Sequence, residues 1–184
     1  IERAVLAGAS MGAHTILRFA LERPERVGAL VVITPAYDPT EIDDPKRMAR
    51  WDALARALRE EGVDGFVAAY GNGGVGAQWH ATVQRVLRQR LAQHRHLEAL
   101  ADCLEVTPRS RPFGGIEDLA AITAPTVVVA SNDDADPGHP FAIGQAYAAA
   151  IPDARLVTEE PGKSPIAWQG GQLSRVIAEA AARS

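Results

Sequence analysis

A parallel α/β sheet interrupted by an all-helical insertion is the fold class this sequence predicts, and three observations predict it. Short, continuous apolar runs alternate with helical stretches in both the first and the last part of the chain, the pattern of strands buried on both faces. A Gly-x-Ser-x-Gly (Gly8, Ala9, Ser10, Met11, Gly12) stands at the first strand-to-helix junction. Between the two alternating regions, residues 46–105 carry helical periodicity only.

The elements follow in order. "ERAVLAGAS" is a short apolar strand that runs into the serine motif, and "MGAHTILRFALER" places Ile16, Leu17, Ala20 and Leu21 at helical spacing before Pro24. "VGALVVIT" (27–34) is continuous and β-branched, as expected of a strand covered on both faces, and "PAYDPTEIDDP" breaks regular structure. Within the helical region, Trp79, Val83, Val86, Leu87 and Leu91 form one apolar stripe, and Gly71, Gly73, Gly74 and Gly76 make a separating loop. "PRSRPFGG" (108–115) marks the exit from that region. The alternation then resumes with the strand "APTVVVAS" (124–131), the polar loop "NDDADPGH" and the helix "PFAIGQAYAAAI". A last strand "ARLVTE" (154–159), the loop "EPGKSP" and the helix "GQLSRVIAEAAA" close the chain.

Composition narrows the class of function. The 184 residues suit one domain that buries roughly 70% of its unfolded surface. Net charge is −4, with no long run of like charge, which argues against nucleic acid or an acidic membrane surface as partner. No apolar stretch reaches the roughly 18 residues of a membrane span and no signal peptide is visible, so a cytoplasmic location is expected. The single Cys103 excludes an intrachain disulfide and a cysteine-based zinc cluster, and no cofactor or metal is expected. The chain starts with Ile1 rather than Met, as a processed chain or a piece of something longer does.

The serine motif carries the chemistry. A nucleophile must sit on a sharp strand-to-helix turn, and the glycines two before and two after it let neighbouring backbones approach. The backbone N–H of Met11, at the helix N-terminus, is the expected oxyanion donor. A plain βα turn that packs small residues is the competing interpretation of the motif.

With these segments in view, nearly the whole chain resembles the α/β-hydrolase superfamily. "VLAGASMGAHTILRFALERPERVGALVVITPA" is similar to that fold's fifth strand, nucleophile elbow, following helix and sixth strand. "IEDLAAITAPTVVVASNDDADP" resembles its seventh strand and acid loop, and "YAAAIPDARLVTEEPGKSP" its eighth strand and histidine loop. The resemblance implies a core of residues 1–36 and 116–184 that lacks the N-terminal strands, with residues 37–115 as a helical lid that shapes the substrate pocket. It assigns Ser10 as nucleophile and Asp134 as the orienting acid, although Asp133 and Asp136 lie close enough for a slip of register.

Two departures bear on mechanism. Where the superfamily has Gly-His after the eighth strand, this chain has Gly162-Lys163, and a lysine is protonated at neutral pH unless its pKa is strongly depressed. The base therefore stays open between His139, Lys163, a lid histidine (His80, His94 or His96) and none at all. His139, on the acid loop, is preferred on charge and reach, whereas His14 points along its own helix. The second departure is that nothing corresponds to the loop supplying a second oxyanion N–H. The expectation is a serine hydrolase acting through an acyl-enzyme on a small ester, lactone or related carbonyl substrate. Trp79 and Trp168 would line an apolar pocket. The alternative is an inactive, hydrolase-like protein that binds a ligand or partner. The first strand, around Ala4–Ala7, is expected at an exposed sheet edge and open to self-association.

Overall fold

The computed structural model describes residues 1–133 and 136–183. In chain order the elements are β1 (Ala4–Ala9), α1 (Met11–Glu22), β2 (Val27–Ile33), α2 (Pro45–Tyr70), α3 (His80–Leu91), α4 (Leu97–Val106), β3 (Thr126–Val129), α5 (Phe141–Ala150), β4 (Ala154–Val157) and α6 (Gly170–Ala181). They fall into two compact units, Ile1–Pro39 with Pro112–Ser184 and Thr40–Arg111.

The first unit holds a four-stranded sheet in the order β1-β2-β3-β4, parallel throughout. Every residue of β2 and of β3 is buried, which is why both read as unbroken apolar runs rather than alternating ones. Strand periodicity sends Val31, Ile33, Val127 and Val129 to one face, where they meet Ile166, Val176 and Ala180 of the C-terminal segment. On the opposite face α5 packs closely on β3. A Cβ on Gly144 would collide with the Cβ of Ala130, so the approach depends on glycine. Burying side chains of the valine and leucine class stabilises the unit by roughly 1.5–3 kcal/mol each.

β1 occupies the edge of this sheet, pairs with β2 alone among the described strands and is half-exposed along its length, as an edge strand is. At the carboxyl edge the ladder continues past the strand ends: Ser10 N donates to Ile33 O (2.9 Å), Thr34 N to Val129 O (2.7 Å) and Ala130 N to Val157 O (3.1 Å). These bonds fix the starting points of the loops that follow β1, β2 and β3.

Residues 37–39 and 112–115, assigned from the sequence to the helical insertion, belong with the sheet unit. Tyr37 is buried, its hydroxyl donates to Phe113 O (2.9 Å), and its own carbonyl accepts from Tyr147 Oη (2.7 Å). Phe113 lies edge-on between the two tyrosine rings.

The second unit is helical. Asp44 caps α2 by accepting from Lys46 N (3.0 Å). Gly62, at φ 66°, breaks α2 into two helical pieces. Leu54, Ala55, Leu58, Phe66 and Val67 of α2 bury against Leu91 and Ala101. Arg59 binds Glu105 and Asp102 of α4, at 2.6 and 2.5 Å. Of the apolar stripe expected on α3, Leu91 alone is fully buried, and Val83, Val86 and Leu87 are half-buried. No helix among the described residues is long and apolar enough to cross a membrane.

Candidate active site

Ser10 links β1 to α1 with φ 52° and ψ −114°, one of two non-glycine residues at positive φ among those described. An L-residue adopts this conformation only under constraint. The two motif glycines contribute differently to that constraint. A Cβ on Gly8 would overlap the carbonyl of Gly12, so the turn closes only with glycine at position 8. A Cβ on Gly12 would meet nothing, so Gly12 supplies the backbone that Gly8 makes room for. The expected need for both glycines thus reduces to Gly8. The tight turn places Ser10 between the carboxyl end of β1 and the start of α1. There the first N–H groups of the helix, Met11 N–H among them, have no intrahelical acceptor.

His139 lies on the loop between β3 and α5, and its Nε2 is 2.9 Å from Ser10 Oγ. Its Nδ1 is 2.8 Å from Asp136 Oδ1. A carboxylate oxygen only accepts, so Nδ1 carries the proton and Nε2 is free to accept from the serine hydroxyl. Both partners are largely shielded, with side-chain exposures of 25% for His139 and 17% for Asp136. The three groups form one hydrogen-bonded chain, carboxylate to imidazole to hydroxyl. The loop is held locally as well: His139 N donates to Asp136 O (3.1 Å), and Asp136 N makes a long bond to Asp133 O (3.4 Å). Helix α5 starts just beyond Pro140.

The other residues singled out from the sequence lie as follows. Asp134 falls outside the described residues, and the carboxylate seen against His139 is that of Asp136, one of the two alternatives in the aspartate run. His14 is turned away from Ser10, because its Nε2 accepts from Ala36 N (3.2 Å) and Tyr37 N (3.0 Å). His80 pairs with Val75 O inside the helical unit, and His94 and His96 are exposed there. Lys163 is exposed on the loop after β4, with its N–H on Glu160 O (3.0 Å). Trp79, 39% exposed, belongs to the helical unit, and Trp168, 53% exposed, to the sheet unit.

One charged residue of this region had no assigned place. Glu159 follows β4 and is buried, with Oε1 accepting from Ser131 Oγ and Asn132 N at 2.9 Å each. Its carboxylate is turned to Ser131 rather than to solvent. The available signal was an acid at the end of the last apolar run followed by a second acid, which usually reads as the start of a solvated loop. Among the described residues no group of three His, Cys, Asp or Glu side chains is placed to hold a metal ion.

Comparison with known proteins agrees with this architecture. Residues 1–170 match the model of the alpha/beta hydrolase family. A 2-hydroxy-6-oxononadienedioate/2-hydroxy-6-oxononatrienedioate hydrolase of Pseudomonas putida is 30% identical over 161 residues, which are 85% of this chain and 54% of that protein. A hydrolase of the same description from Cupriavidus pinatubonensis matches to the same extent. The chain thus spans about half the length of the curated relatives it matches. Among solved structures, a thermophilic esterase from Thermogutta terrifontis superimposes with a TM-score of 0.74 at 25% identity, covering 97% of this chain and 64% of that one. The enol-lactonase from Burkholderia xenovorans gives 0.67 at 19% identity over 99% of this chain and 66% of its own, a likeness of fold.

Proposed function

Because the chain belongs to the alpha/beta hydrolase family, we propose that it takes part in acyl transfer to water, with Ser10 as nucleophile, His139 as general base and Asp136 as the acid that orients the imidazole. The observation that supports this reading is the hydrogen-bonded chain from Asp136 through His139 to Ser10 Oγ. In the reaction, Ser10 Oγ attacks the substrate carbonyl carbon while His139 Nε2 takes the hydroxyl proton. The carbonyl oxygen becomes an oxyanion and accepts from Met11 N–H at the helix terminus. Collapse expels the leaving group, which receives the proton from His139, and a water activated by the same imidazole releases the acid from Ser10. Asp136 stays ionised throughout and stabilises the imidazolium that forms twice per cycle.

The substrate class is a small ester, lactone or related carbonyl compound. The relatives and structural neighbours, named for an oxo-dioic acid, an ester and an enol-lactone, share an electrophilic carbonyl carbon. Fold likeness does not choose among them. A second reading, a hydrolase-like protein that binds a ligand without turning it over, is favoured by Gly162-Lys163 at the position where the superfamily carries its histidine. Incubation with 4-nitrophenyl acetate, butyrate and octanoate, followed by intact-mass analysis of the quenched protein, separates the two. Acyl transfer gives release of nitrophenol and an acyl adduct on Ser10 that Ser10→Ala lacks. No release and no adduct would leave the binding reading.

A further inference from the structure

We infer that Glu159 is a positioning residue for this site: its buried carboxylate clamps the start of the loop that carries Asp136 and His139. The inference rests on the reading of Ser10 and His139 as nucleophile and base. Glu159 is 4% exposed and lies two residues beyond β4, the strand that flanks β3. Its Oε1 accepts from Ser131 Oγ and from Asn132 N, both at 2.9 Å, and Ser131 Oγ in turn accepts from Asp133 N at 3.0 Å. Three consecutive residues at the root of the loop are thereby tied to a single carboxylate. The far end of the loop is set by α5, which Gly144 lets down onto Ala130. Between these two anchors the chain must place His139 Nε2 against Ser10 Oγ.

Stability alone does not account for a carboxylate here. Its second oxygen, Oε2, is buried with no hydrogen-bond partner among the described residues. A half-satisfied buried carboxylate costs more than an apolar side chain of similar size, whereas an ionised acceptor forms hydrogen bonds about twice as strong as a neutral one. Holding Ser131 and Asn132 rigidly is what the carboxylate supplies in return.

The test compares Glu159→Ala, Glu159→Gln and Ser131→Ala in the intact protein. The first readout is the rate at which a fluorophosphonate labels Ser10, per folded molecule. Displacing a catalytic group by about 1 Å costs up to roughly 10²-fold, so Glu159→Ala should slow labelling on the order of 10- to 100-fold. Glu159→Gln keeps the accepting oxygen and should stay within about threefold of the parent. Ser131→Ala should lie between them, and the double variant with Glu159→Ala should be no slower than Glu159→Ala alone. A purely structural role would lower the melting temperature of the variants and leave the rate per folded molecule unchanged, which would overturn the inference. Histidine ¹⁵N spectra read the same placement without any chemistry. Glu159→Ala should move the His139 imidazole signals and leave those of His14 in place, even if the parent protein proves unreactive to the probe. Unmoved His139 signals would contradict the clamp, while an unlabelled parent with moved signals would remove only the acyl-transfer reading.

Discussion

Ser10 keeps its left-handed backbone because Gly8 yields to the Gly12 carbonyl, and this gives the two glycines opposite mutational behaviour. Gly8→Ala forces a Cβ into backbone that has no alternative rotamer and should destabilise the fold by about 1–3 kcal/mol, read by urea denaturation. Gly12→Ala meets open space inside α1 and should be neutral or stabilising by up to about 1 kcal/mol. Equal losses at both positions would contradict the asymmetry of the turn. The acid gives a second test at the same scale. If Asp136 orients His139, Asp136→Asn should lower the acylation rate by about 10²- to 10⁴-fold, because the amide favours the wrong imidazole tautomer. A larger loss in Asp134→Asn would return the role to the aspartate that the spacing after the seventh strand favours. Spacing could not make this choice: Asp133, Asp134 and Asp136 fall within four positions, and one residue of slip exchanges them.

The helices and strands were legible wherever the signal is local. β2 and β3 read as apolar runs because both faces are covered, and α1 and α6 follow from helical spacing and from the proline or glycine near their ends. The burial of Tyr37 and the interruption of α2 were not legible. Tyr37 sits in a polar, proline-containing stretch, and its burial depends on Phe113 and Tyr147, far off in sequence. Burial also pushes the Tyr147 phenol well above its ordinary value. Gly62 interrupts α2 at φ 66° with open space around it, so its cost to any other residue is backbone strain alone. Gly62→Ala should destabilise the helical unit by about 1–2 kcal/mol without altering the elements on either side, as read by amide exchange. In the same unit the Arg59 guanidinium holds the Glu105 carboxyl below its ordinary value, and Arg109 does the same for Asp52. A carboxyl depressed in the folded state contributes stability above its unfolded value, which for glutamate is about 4.5, and loses it as pH falls through the lower folded value. The melting temperature of this unit should therefore drop on acidification below pH 4.5, and Arg59→Met should flatten that dependence.

At the scale of the whole molecule, the sheet has two edge strands, β1 and β4, each paired on one side only among the described strands, and β1 is the one that runs into the serine turn. β1 is half-exposed and has β2 as its single neighbour among the described strands. The 184-residue chain on its own should self-associate through that edge, with a mass by light scattering that rises with concentration. A concentration-independent monomer would contradict it. The candidate site was legible in proportion to how local its signals are. Ser10 announces itself within five residues, and His139 is reached by asking which titratable groups the sheet topology brings to the carboxyl edge. Glu159 stayed hidden because its partner, Ser131, lies on a different strand's loop. The central claim is that the base comes from the loop after β3 rather than from the loop after β4. Fluorophosphonate labelling of the parent protein, His139→Ala and Lys163→Ala tests it most directly. Labelling of Ser10 in the parent, its loss in His139→Ala and its retention in Lys163→Ala is the predicted result; labelling that survives His139→Ala, or that disappears with Lys163→Ala alone, would contradict it.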